Sequence, residues 1–555
     1  MTRTLVAERS FFVFFMPVLS ALTRRFALIA PLLGVGISFA LPPYGMSFVL
    51  VPLWSLFAFF IGVMPSLTKA FYVGWLFGVG YFGSSLYWIT HSFAFGPAMF
   101  APLAIPSVML MVALLSLYVA FACVIICALR RSFRLSSIRY VTMFAAVWTL
   151  VEMARGFLFL GFPWNINALF LSSYLPLLQG ASLTGVWGVS FLVTWVSCSL
   201  AACLSFDDKK EHAVHVAMPP LLVMLMMSAA VVYGAWFWGA QRMETALGVH
   251  DDIRLHMVQG NIPQGEKWDV TLREKHHSRH LRMSIDDDVF SGELGALQVE
   301  STESQGRRII IWPETAITTY PDRVQSYLDI ASLLRPGDML MSGAIHREVN
   351  SDGKTTSWNS LFVFNADGRV EEIYDKVRLV PFGEYVPTWH YFPLHKVIDG
   401  FHNFAAGEGR RTLVVSDHIP PLSPLICYEA IFPHDATVSI RQSKRPQWLV
   451  NITNDAWFGD SIGVTQHFFA SRMRAIEEGL PMARVANTGI SALIDAHGRI
   501  LHHIPVETAG VIRHPLPKPL HERTFYSAYG NAPVLLFLLL GLAFLITPIH
   551  PPLRR

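Results

Sequence analysis

Three side chains that can do chemistry each follow an apolar, strand-like run of the sequence. Glu314 lies in "IIIWPETA" (309–316), Lys376 lies in "EIYDKVRLVPFGEYVP" (372–387), and Cys427 lies in "PLICYEA" (424–430). A carboxylate, an ammonium and a thiol together make a workable set for acyl transfer. The second stretch adds another carboxylate, Glu384, eight residues after the lysine.

The thiol is the natural nucleophile of this set, although a free cysteine has a pKa of about 8.5. A carboxylate such as Glu314 can take the thiol proton and later deliver it to a leaving group. A lysine such as Lys376 can stabilise the thiolate and the oxyanion of a tetrahedral intermediate. A sharp strand-to-helix turn at Cys427 would aim its sulfur outward and aim the backbone N–H of Tyr428 at the same oxyanion.

Each of these residues also has a purely structural interpretation. Glu314 follows a proline and could be a helix N-terminal charge, Lys376 could be a solvated lysine, and Glu384 could be a surface carboxylate. Cys427 could be an inert cysteine on a buried strand. It differs from the other four cysteines, which lie inside long apolar segments. The joint occurrence of the three side chains favours the catalytic interpretation.

The elements that would position these residues are short β-branched runs mixed with helical stretches. Strands are predicted around 253–262, 308–314, 338–345, 359–368, 420–429 and 447–455, and helices around 322–334 and 465–479. "NADGRV" and "DAHGRI" are predicted as hairpin turns in which glycine supplies the positive φ. Near-continuous apolar strand cores favour an α/β sandwich with "WPE", "CYE" and "NDAW" at one edge of the sheet.

The rest of the chain has the composition of a membrane protein. Of its 555 residues, 52% are hydrophobic and only 15% are charged, whereas soluble domains carry about 25% charged residues. Crossing the hydrocarbon layer takes roughly 20 apolar residues. Eight spans are predicted, at about 25–42, 47–65, 69–90, 101–129, 138–158, 183–205, 214–239 and 532–549.

Lysine and arginine near the span ends predict the orientation of the chain. These residues are Arg24, Arg25, Lys69, Arg130, Arg131, Arg134, Arg139, Lys209, Lys210, Arg554 and Arg555, and the predicted spans place all of them on one side. That side should be the cytoplasm, so the polar region 245–525 should be extracytoplasmic. Structural cysteines there are normally paired, which makes the single thiol of Cys427 more notable. The apolar stretch 11–19 is interpreted as an uncleaved segment that lies in the interface or extends the first helix, rather than as a signal peptide.

Several classes of site are not supported. The sequence contains no HExxH motif, no Walker loop and no dinucleotide fingerprint. Cysteine spacing supports neither zinc nor a disulfide framework, and isolated histidines such as His402 and His467 are expected on the surface or in packing. We therefore expect no metal and no cofactor. The net charge of +3 gives no indication of nucleic-acid binding.

The stretches "WPET", "DKVRLVPFGEYVP", "ICYE" and "NDAWFG" resemble the Glu–Lys–Cys signature of the nitrilase superfamily. Together with the spans, and with "MVQGNIPQGEKW" (257–268), "GFPWN" (161–165) and "LYWITHS" (86–92), they resemble the bacterial apolipoprotein N-acyltransferase family. The resemblance covers nearly the whole chain and is weakest before residue 25 and over 388–410.

The resemblance implies a fold, a reaction and a location. The expected fold is a polytopic membrane domain of about eight helices carrying an extracytoplasmic nitrilase-like αββα sandwich. The expected reaction is ping-pong transfer of an acyl chain from a phospholipid, such as phosphatidylethanolamine, to the N-terminal amine of a diacylated apolipoprotein. This would be the last step of lipoprotein maturation, at the inner membrane with the catalytic domain in the periplasm.

The resemblance also assigns roles to residues. It implies Cys427 as nucleophile, Glu314 as general base and acid, and Lys376 as oxyanion stabiliser. Supporting or substrate-binding roles are implied for Glu384, Glu429, Tyr428 and Trp268.

The expected segments are an interfacial or cytoplasmic segment 1–24, a seven-span domain 25–240, the catalytic domain 245–525, a last span 532–549 and a cytoplasmic tail 550–555. We interpret 388–404 as an aromatic arm that dips into the membrane interface, with a packed Ω-loop as the alternative. Glu152 and Arg155, in or beside the fifth span, could face the catalytic domain or a lipid headgroup, or pair structurally. A monomer is expected.

Two other functions fit parts of the pattern. A membrane-tethered amidase or nitrilase would use the same three residues, with water in place of the amine. A transporter with a globular ligand-binding domain would have no use for a thiol, a carboxylate and a lysine on adjacent strand ends.

Overall fold

The computed structural model describes residues 25–96, 98–133, 135–206, 214–216, 218–285, 297–299, 306–318, 324–349, 351–386, 403–437 and 444–547. The predicted segment 1–24, the tail 550–555, His402 and all but the last two residues of the predicted arm 388–404 lie outside these ranges.

The first part of the chain is built from helices. Within the described residues they are α1 (Phe26–Ser38), α2 (Leu50–Gly62), α3 (Leu67–Leu86), α4 (Ala104–Ser132), α5 (Ser137–Phe157), the short α6 (Leu175–Leu178), α7 (Ala181–Ser197) and α8 (Met218–Met243). A hairpin of β1 (Leu204–Phe206) and β2 (Val214–Val216) lies between α7 and α8. Ser66 and Ser136 accept hydrogen bonds from backbone N–H groups and so cap α3 and α5.

Glycine allows α1 and α3 to touch along their backbones. A Cβ atom on Gly34 would lie 2.2 Å from the carbonyl oxygen of Phe77, and one on Gly80 would lie 2.0 Å from that of Pro31. Small residues at such crossings let apolar helices approach closely where no hydrophobic effect drives them together. A side chain at either position would have to push the two helices apart.

A helix occupies each of the eight predicted span positions, including the helix Ala532–Ile546 near the C-terminus. Among the described residues, Ala98–Ser132 and Met218–Met243 are long and apolar enough to cross a membrane by themselves, and Phe26–Ser38, Ser47–Gly62, Ala181–Ser197 and Ala532–Ile546 are shorter apolar helices. The number of spans therefore stays a prediction.

The second part of the chain forms two sheets. In the described residues the larger has the order β4–β14–β3–β5–β6–β7–β8 and the smaller has the order β13–β12–β11–β10–β9. The strands are β3 (Val249–Gln259), β4 (Leu297–Val299), β5 (Arg307–Ile311), β6 (Met339–Val349), β7 (Thr355–Phe364), β8 (Val370–Asp375), β9 (Leu422–Ile426), β10 (Trp448–Thr453), β11 (Met482–Ala486), β12 (Ser491–Ile494), β13 (Ile500–Ile504) and β14 (Gly510–Pro517). Strands β3, β5 and β6 are parallel, as are β9, β10 and β11.

The two sheets pack face to face with helices on both outer sides. Ile309 and Ile311 of β5 point into the core between the sheets, whereas Ile310 packs on the outer face beside Ile330 of α10 (Val324–Leu333), as the two-residue period of a strand requires. The helix α9 (Arg273–Ser284) also covers this face through Met283, and α11 (Ile462–Glu478) covers the smaller sheet. The predicted αββα sandwich is confirmed, and the glycine turns in "NADGRV" and "DAHGRI" connect β7 to β8 and β12 to β13.

Helix α11 joins the sandwich to the helical part. Its Phe468 packs against the smaller sheet, while Met473 and Ile476 belong to the core of the helical part. At its end, Glu477 reaches α7 where that helix is interrupted by Gly185 (φ 63°, ψ −177°), and Glu477 Oε1 accepts a hydrogen bond of 2.8 Å from the N–H of Val186. The two parts are therefore connected by packing and by hydrogen bonds.

Candidate active site

Cys427 lies at a strained turn between β9 and a 3-10 helix, Cys427–Ile431. All five residues of β9 are buried, which fixes the direction in which the chain enters the turn. Cys427 has φ 50°, a left-handed conformation that is uncommon for a residue other than glycine. The sharp strand-to-helix turn predicted from the sequence is thus present, but Cys427 is buried rather than aimed outward. Strained backbone of this kind often marks a functional residue.

Glu429 holds this turn against the loop that carries Lys376. Its Oε2 accepts a hydrogen bond of 2.8 Å from the N–H of Ile426, and its Oε1 accepts bonds of 2.8 and 3.0 Å from the N–H groups of Val377 and Arg378. Glu429 is fully buried, and the guanidinium of Arg410 lies 3.5 Å from it. Its contacts are those of a residue that positions the turn rather than one that reacts.

Glu314 lies three residues beyond the end of β5 and is oriented by two donors. Its Oε2 accepts a hydrogen bond of 2.8 Å from the backbone N–H of Asn454, the residue that follows β10. Its Oε1 accepts a bond of 2.7 Å from Nδ2 of Asn359 on β7. The predicted meeting of "WPE" and "NDAW" at strand ends is therefore observed, with the two ends belonging to opposite sheets.

Lys376 follows β8 and lies between two carboxylates. Its Nζ is 2.9 Å from Oε1 of Glu384 and 3.5 Å from Oε1 of Glu314. Burial alone would lower the pKa of Lys376, but the charges of Glu384 and Glu314 outweigh burial and hold it above its ordinary value. Lys376 is therefore an ammonium at any physiological pH. Asn359 Nδ2 also donates to Glu384 Oε1 at 2.8 Å and so links the two carboxylates.

The thiol of Cys427 faces this charged group in a buried setting. Burial raises its pKa, the negative charge of Glu314 raises it further, and the charge of Lys376 acts in the opposite direction. The resting sulfur is therefore a protonated thiol, which becomes a nucleophile only when a base removes its proton. The structure brings together Glu314, Lys376, Glu384 and Cys427, four residues that the sequence singled out.

Lys267 is a further cation of the site, and the sequence analysis did not single it out. It is buried, and its Nζ donates a hydrogen bond of 2.8 Å to the backbone carbonyl of Glu314. Burial lowers its pKa to about 8, although the charges of Glu314 and Cys427 act to raise it. Its neighbour Trp268, predicted to contact substrate, is half-buried beside it. The only sequence signal for Lys267 was its place in "QGEKW".

The side chain of Tyr428 contacts the helical part of the chain. Its hydroxyl donates a hydrogen bond of 3.2 Å to the carbonyl oxygen of Gly161 in the helical part, and its ring packs edge-on against Phe432 at 5.0 Å. The proposed role of its backbone N–H in an oxyanion hole stays a prediction. The side chain itself fastens the nucleophile turn to the loop that follows α5.

Three motifs from the sequence meet behind the nucleophile. Trp88 of "LYWITHS" contacts Trp164 of "GFPWN" at 4.9 Å and Phe458 of "NDAWFG" at 4.5 Å between ring centres. His91 lies 2.8 Å from the carbonyl oxygen of Phe458. These contacts join two stretches of the helical part to the loop that follows β10.

Two buried polar features remain to be placed. His467, expected on the surface or in packing, is fully buried, and its Nε2 lies 3.2 Å from the carbonyl oxygen of Cys427. Glu152 and Arg155 of α5 are a loose ion pair at 3.9 Å, and the guanidinium of Arg155 donates to the carbonyl oxygens of Phe162 and Trp164. That arrangement favours the structural alternative for this pair. Among the described residues no group of three or more His, Cys, Asp or Glu is placed to hold a metal ion.

A four-layer sandwich with a cysteine, a glutamate and a lysine at its strand ends defines the nitrilase, or carbon–nitrogen hydrolase, class. Residues 255–522 match the family model described as carbon-nitrogen hydrolase, and residues 33–199 match the one described as apolipoprotein N-acyltransferase N-terminal domain. The chain belongs to the apolipoprotein N-acyltransferase family, which confirms the resemblance seen in its motifs.

Two of the relatives match almost the full length of the chain. The apolipoprotein N-acyltransferase of Rhodopseudomonas palustris is 32% identical over 542 residues, which are 95% of this chain and 96% of that protein. The one from Bradyrhizobium diazoefficiens is 34% identical over 543 residues, again 95% and 96%. Among solved structures, an amidase from Nesterenkonia sp. is 18% identical with a TM-score of 0.31, covering 49% of this chain and 94% of the amidase.

Proposed function

We propose that this chain is a membrane enzyme that transfers a fatty acyl group from a phospholipid to the N-terminal amine of an apolipoprotein, through a thioester on Cys427. The observation that carries the proposal is the convergence of Glu314, Lys376 and Cys427 in one buried group, in a chain whose relatives along 95% of its length are named apolipoprotein N-acyltransferases. The proposed acceptor is the α-amine of an S-diacylglyceryl-cysteine, and the proposed donor is phosphatidylethanolamine.

The first half-reaction forms the acyl-enzyme. The thiol of Cys427 attacks the ester carbonyl carbon of the phospholipid while Glu314 takes the S–H proton. The oxyanion that forms faces the ammonium of Lys376, which is held in place by Glu384. When the C–O bond breaks, Glu314 gives its proton to the leaving oxygen, and lysophospholipid departs from the thioester.

The second half-reaction uses the same groups in reverse. The lipoprotein amine attacks the thioester carbonyl carbon, and Glu314 accepts a proton from the nitrogen. The C–S bond then breaks, the amide is released, and Glu314 returns its proton to the thiolate of Cys427. The raised pKa of this thiol favours reprotonation, so the free enzyme is restored without a cofactor or a metal.

The helical part explains why an enzyme of this class would use lipid substrates. Both proposed substrates are anchored in a bilayer, and a site fixed to apolar helices meets them at high effective concentration and in a restricted orientation. We place the enzyme in the inner membrane, with the sandwich on the periplasmic side, because the basic residues cluster at the opposite ends of the predicted spans.

Mass spectrometry of the purified full-length protein tests the covalent step. After incubation with phosphatidylethanolamine, Cys427 should carry an adduct with the mass of one acyl chain. Cys427→Ala and Glu314→Gln should lack the adduct. Glu348→Gln, which changes a carboxylate that is 60% exposed on β6, should form it as the wild type does. A wild-type protein that stays unmodified under turnover conditions would refute the mechanism.

An assay with a diacylated lipopeptide separates the transferase from a tethered hydrolase. The proposal predicts a triacylated peptide and one lysophospholipid per turnover. Release of free fatty acid without any N-acylated peptide would instead show that water resolves the acyl-enzyme.

A further inference from the structure

Thr453, the last residue of β10, lies beside the nucleophile. In the pairing of β9 with β10, Ile426 is opposite Ile452, so Cys427 and Thr453 leave the sheet at the same level. Thr453 is fully buried. Its hydroxyl reaches the side chain of Cys427, where a hydrogen bond from it acts to lower the pKa of the thiol. The smaller sheet therefore places a neutral hydrogen-bond donor against the sulfur.

The hydroxyl of Thr453 has a second partner, Asp455. It donates a hydrogen bond of 2.7 Å to Oδ1 of Asp455. Burial acts to raise the pKa of Asp455, but His467, Arg484 and the hydrogen bonds to the carboxylate outweigh burial and hold the pKa below its ordinary value, so this carboxylate is ionised. Its Oδ2 lies 2.5 Å from Nη2 of Arg484, and its Oδ1 lies 2.8 Å from Nδ1 of His467. Asp455 therefore keeps other partners if the hydroxyl of Thr453 turns away.

A hydroxyl group carries one proton and two lone pairs, and it rotates to suit its neighbours. The hydroxyl of Thr453 can therefore donate to Asp455 or to the sulfur, but not to both at once. While Cys427 is a neutral thiol, the ionised carboxylate is the stronger acceptor. Once Glu314 has taken the S–H proton, the sulfur carries a full negative charge, and a hydrogen bond to an ionised group is about twice as strong as one between neutral groups. Because Arg484 already compensates the charge of Asp455, the hydroxyl proton is then better placed on the sulfur.

We propose that Thr453 is a further catalytic residue, whose hydroxyl proton turns from Asp455 to the sulfur of Cys427 when the thiol ionises. The turned hydroxyl stabilises the thiolate before it attacks the ester and again when it leaves the thioester. Only the direction of the O–H bond changes, so the proton balance of both half-reactions is unaltered. The proposal rests on the proposed function only in taking Cys427 as the nucleophile.

Thr453 differs from the charged groups around the sulfur because it does not titrate. Burial raises the pKa of the thiol most, the charges of Glu314 and Asp455 raise it further, and the charge of Lys376 lowers it. The charge of Lys267 also acts on the thiol and changes near pH 8. An alcohol stays neutral throughout this range, so the contribution of Thr453 should not depend on pH.

Alkylation of Cys427 by iodoacetamide, followed by mass spectrometry of the full-length protein, measures the thiolate without acyl transfer. Thr453→Val keeps the shape of the side chain and removes the hydroxyl. It should label about tenfold more slowly than the wild type, the effect of one pKa unit on the thiolate population. The ratio of the two rates should stay constant between pH 7 and pH 9. Thr453→Ser, which restores the hydroxyl, should label at the wild-type rate.

Thr437→Val is the matched control, since it removes another threonine hydroxyl that hydrogen-bonds to a buried carboxylate, that of Glu478 at 2.9 Å. It should label as the wild type does. If Thr453 only held Asp455 in place, Thr453→Val would melt at a lower temperature and label at the wild-type rate, and that result would overturn the proposal. Equally slow labelling of Thr453→Ser would also overturn it, because the shape of the side chain and not its hydroxyl would then matter. Should Thr453→Val not fold, Thr453→Ala gives the same comparison with Thr453→Ser.

Discussion

Lys267 gives the active site a cation whose charge changes near physiological pH. Its ammonium bonds to the backbone of Glu314 and acts on Cys427, and burial lowers its pKa to about 8. We expect the rate of acyl-enzyme formation to fall as the pH rises through 8, because the charge that favours the thiolate is then lost. Lys267→Met should form the acyl-enzyme about tenfold more slowly than the wild type at pH 7. This loss of rate is smaller than that expected on removing a group that touches the reacting atoms. The rate of Lys267→Met should not decline as the pH rises through 8. Single-turnover rates with phosphatidylethanolamine between pH 6 and 10 measure both; the same decline in Lys267→Met would contradict the assignment.

The same residue should destabilise the folded protein. Because its pKa falls from 10.5 to about 8 on folding, the unfolded chain binds more protons than the folded one between these values. The contribution of Lys267 to the free energy of unfolding therefore rises with pH through that window. Its destabilising effect on the folded protein is present in full below pH 8. Lys267→Met should remove up to about 3 kcal/mol of this cost at pH 7, seen as a higher melting temperature, whereas the exposed Lys354→Met should change little. A less stable Lys267→Met at pH 7 would show that its hydrogen bond matters more than its burial.

Residue type, strand-end position and the resemblance to the nitrilase signature together singled out Glu314, Lys376 and Cys427, which the structure brings into one group. They could not predict Asn359 or His467. The amide of Asn359 matters only because its strand lies between two carboxylates, and His467 only because α11 packs behind the turn of Cys427. A local sequence pattern shows which atoms a side chain can offer. The partner of each atom depends on contacts between residues far apart in the chain.

At the scale of single elements, the contact between α1 and α3 depends on glycine. A Cβ atom on Gly80 would lie 2.0 Å from Pro31 O, whereas one on Gly83 of the same helix would meet nothing within 4 Å. Gly80→Ala should lower the melting temperature in detergent by several degrees, because two backbones would have to separate. Gly83→Ala should match or slightly exceed the wild type, since alanine is the better helix former. Equal melting temperatures for the two variants would show that the helices do not touch here.

The interruption of α7 is held by a carboxylate from the sandwich. Glu477 accepts from the N–H of Val186 and pairs with Arg474 at 2.9 Å. Glu477→Gln keeps a hydrogen-bond acceptor for the N–H of Val186, whereas Glu477→Ala does not. Glu477→Ala should therefore be less stable than Glu477→Gln by about 1–3 kcal/mol.

Burial raises the pKa of Glu477 from 4.5 to about 7. Its folded form therefore binds more protons in that window, and its contribution to stability falls as the pH rises from 4.5 to 7. In both variants the melting temperature should therefore fall less steeply than in the wild type as the pH rises across this range. An unchanged dependence on pH would contradict the raised pKa of Glu477.

Elements with local signals were predictable, but their neighbours in the sheets were not. The glycine turn predicts the hairpin between β7 and β8, and the apolar runs predict the strands of the sandwich. Strand β14, by contrast, lies between β3 and β4 and pairs with both, although each of them precedes it by more than 200 residues in the chain. A strand's side-chain period tells which face is buried and does not tell which strand will pair with its edge.

At the scale of the whole molecule, the nucleophile lies where the two parts of the chain meet. Tyr428 bonds to Gly161, Trp164 stacks on His467, and α11 packs on both sides. A reaction centre inside an isolated sandwich would need none of these contacts. Their presence means that the helices help to set the geometry of the turn at Cys427. Neither part alone should therefore form an active site.

The sidedness of the membrane arrangement can be tested with two exposed serines. Ser351 lies in the turn between β6 and β7 of the sandwich, and Ser132 ends α4 beside Arg130 and Arg131. Because basic residues stay in the cytoplasm, Ser351→Cys should react with a membrane-impermeant maleimide in cells whose outer membrane has been opened. Ser132→Cys should react only after the inner membrane is lysed. The parent chain, in which Cys427 and three of the other four cysteines are buried, gives the background. Labelling of Ser132→Cys before lysis, with Ser351→Cys protected, would invert the orientation and place the sandwich away from a periplasmic lipoprotein acceptor.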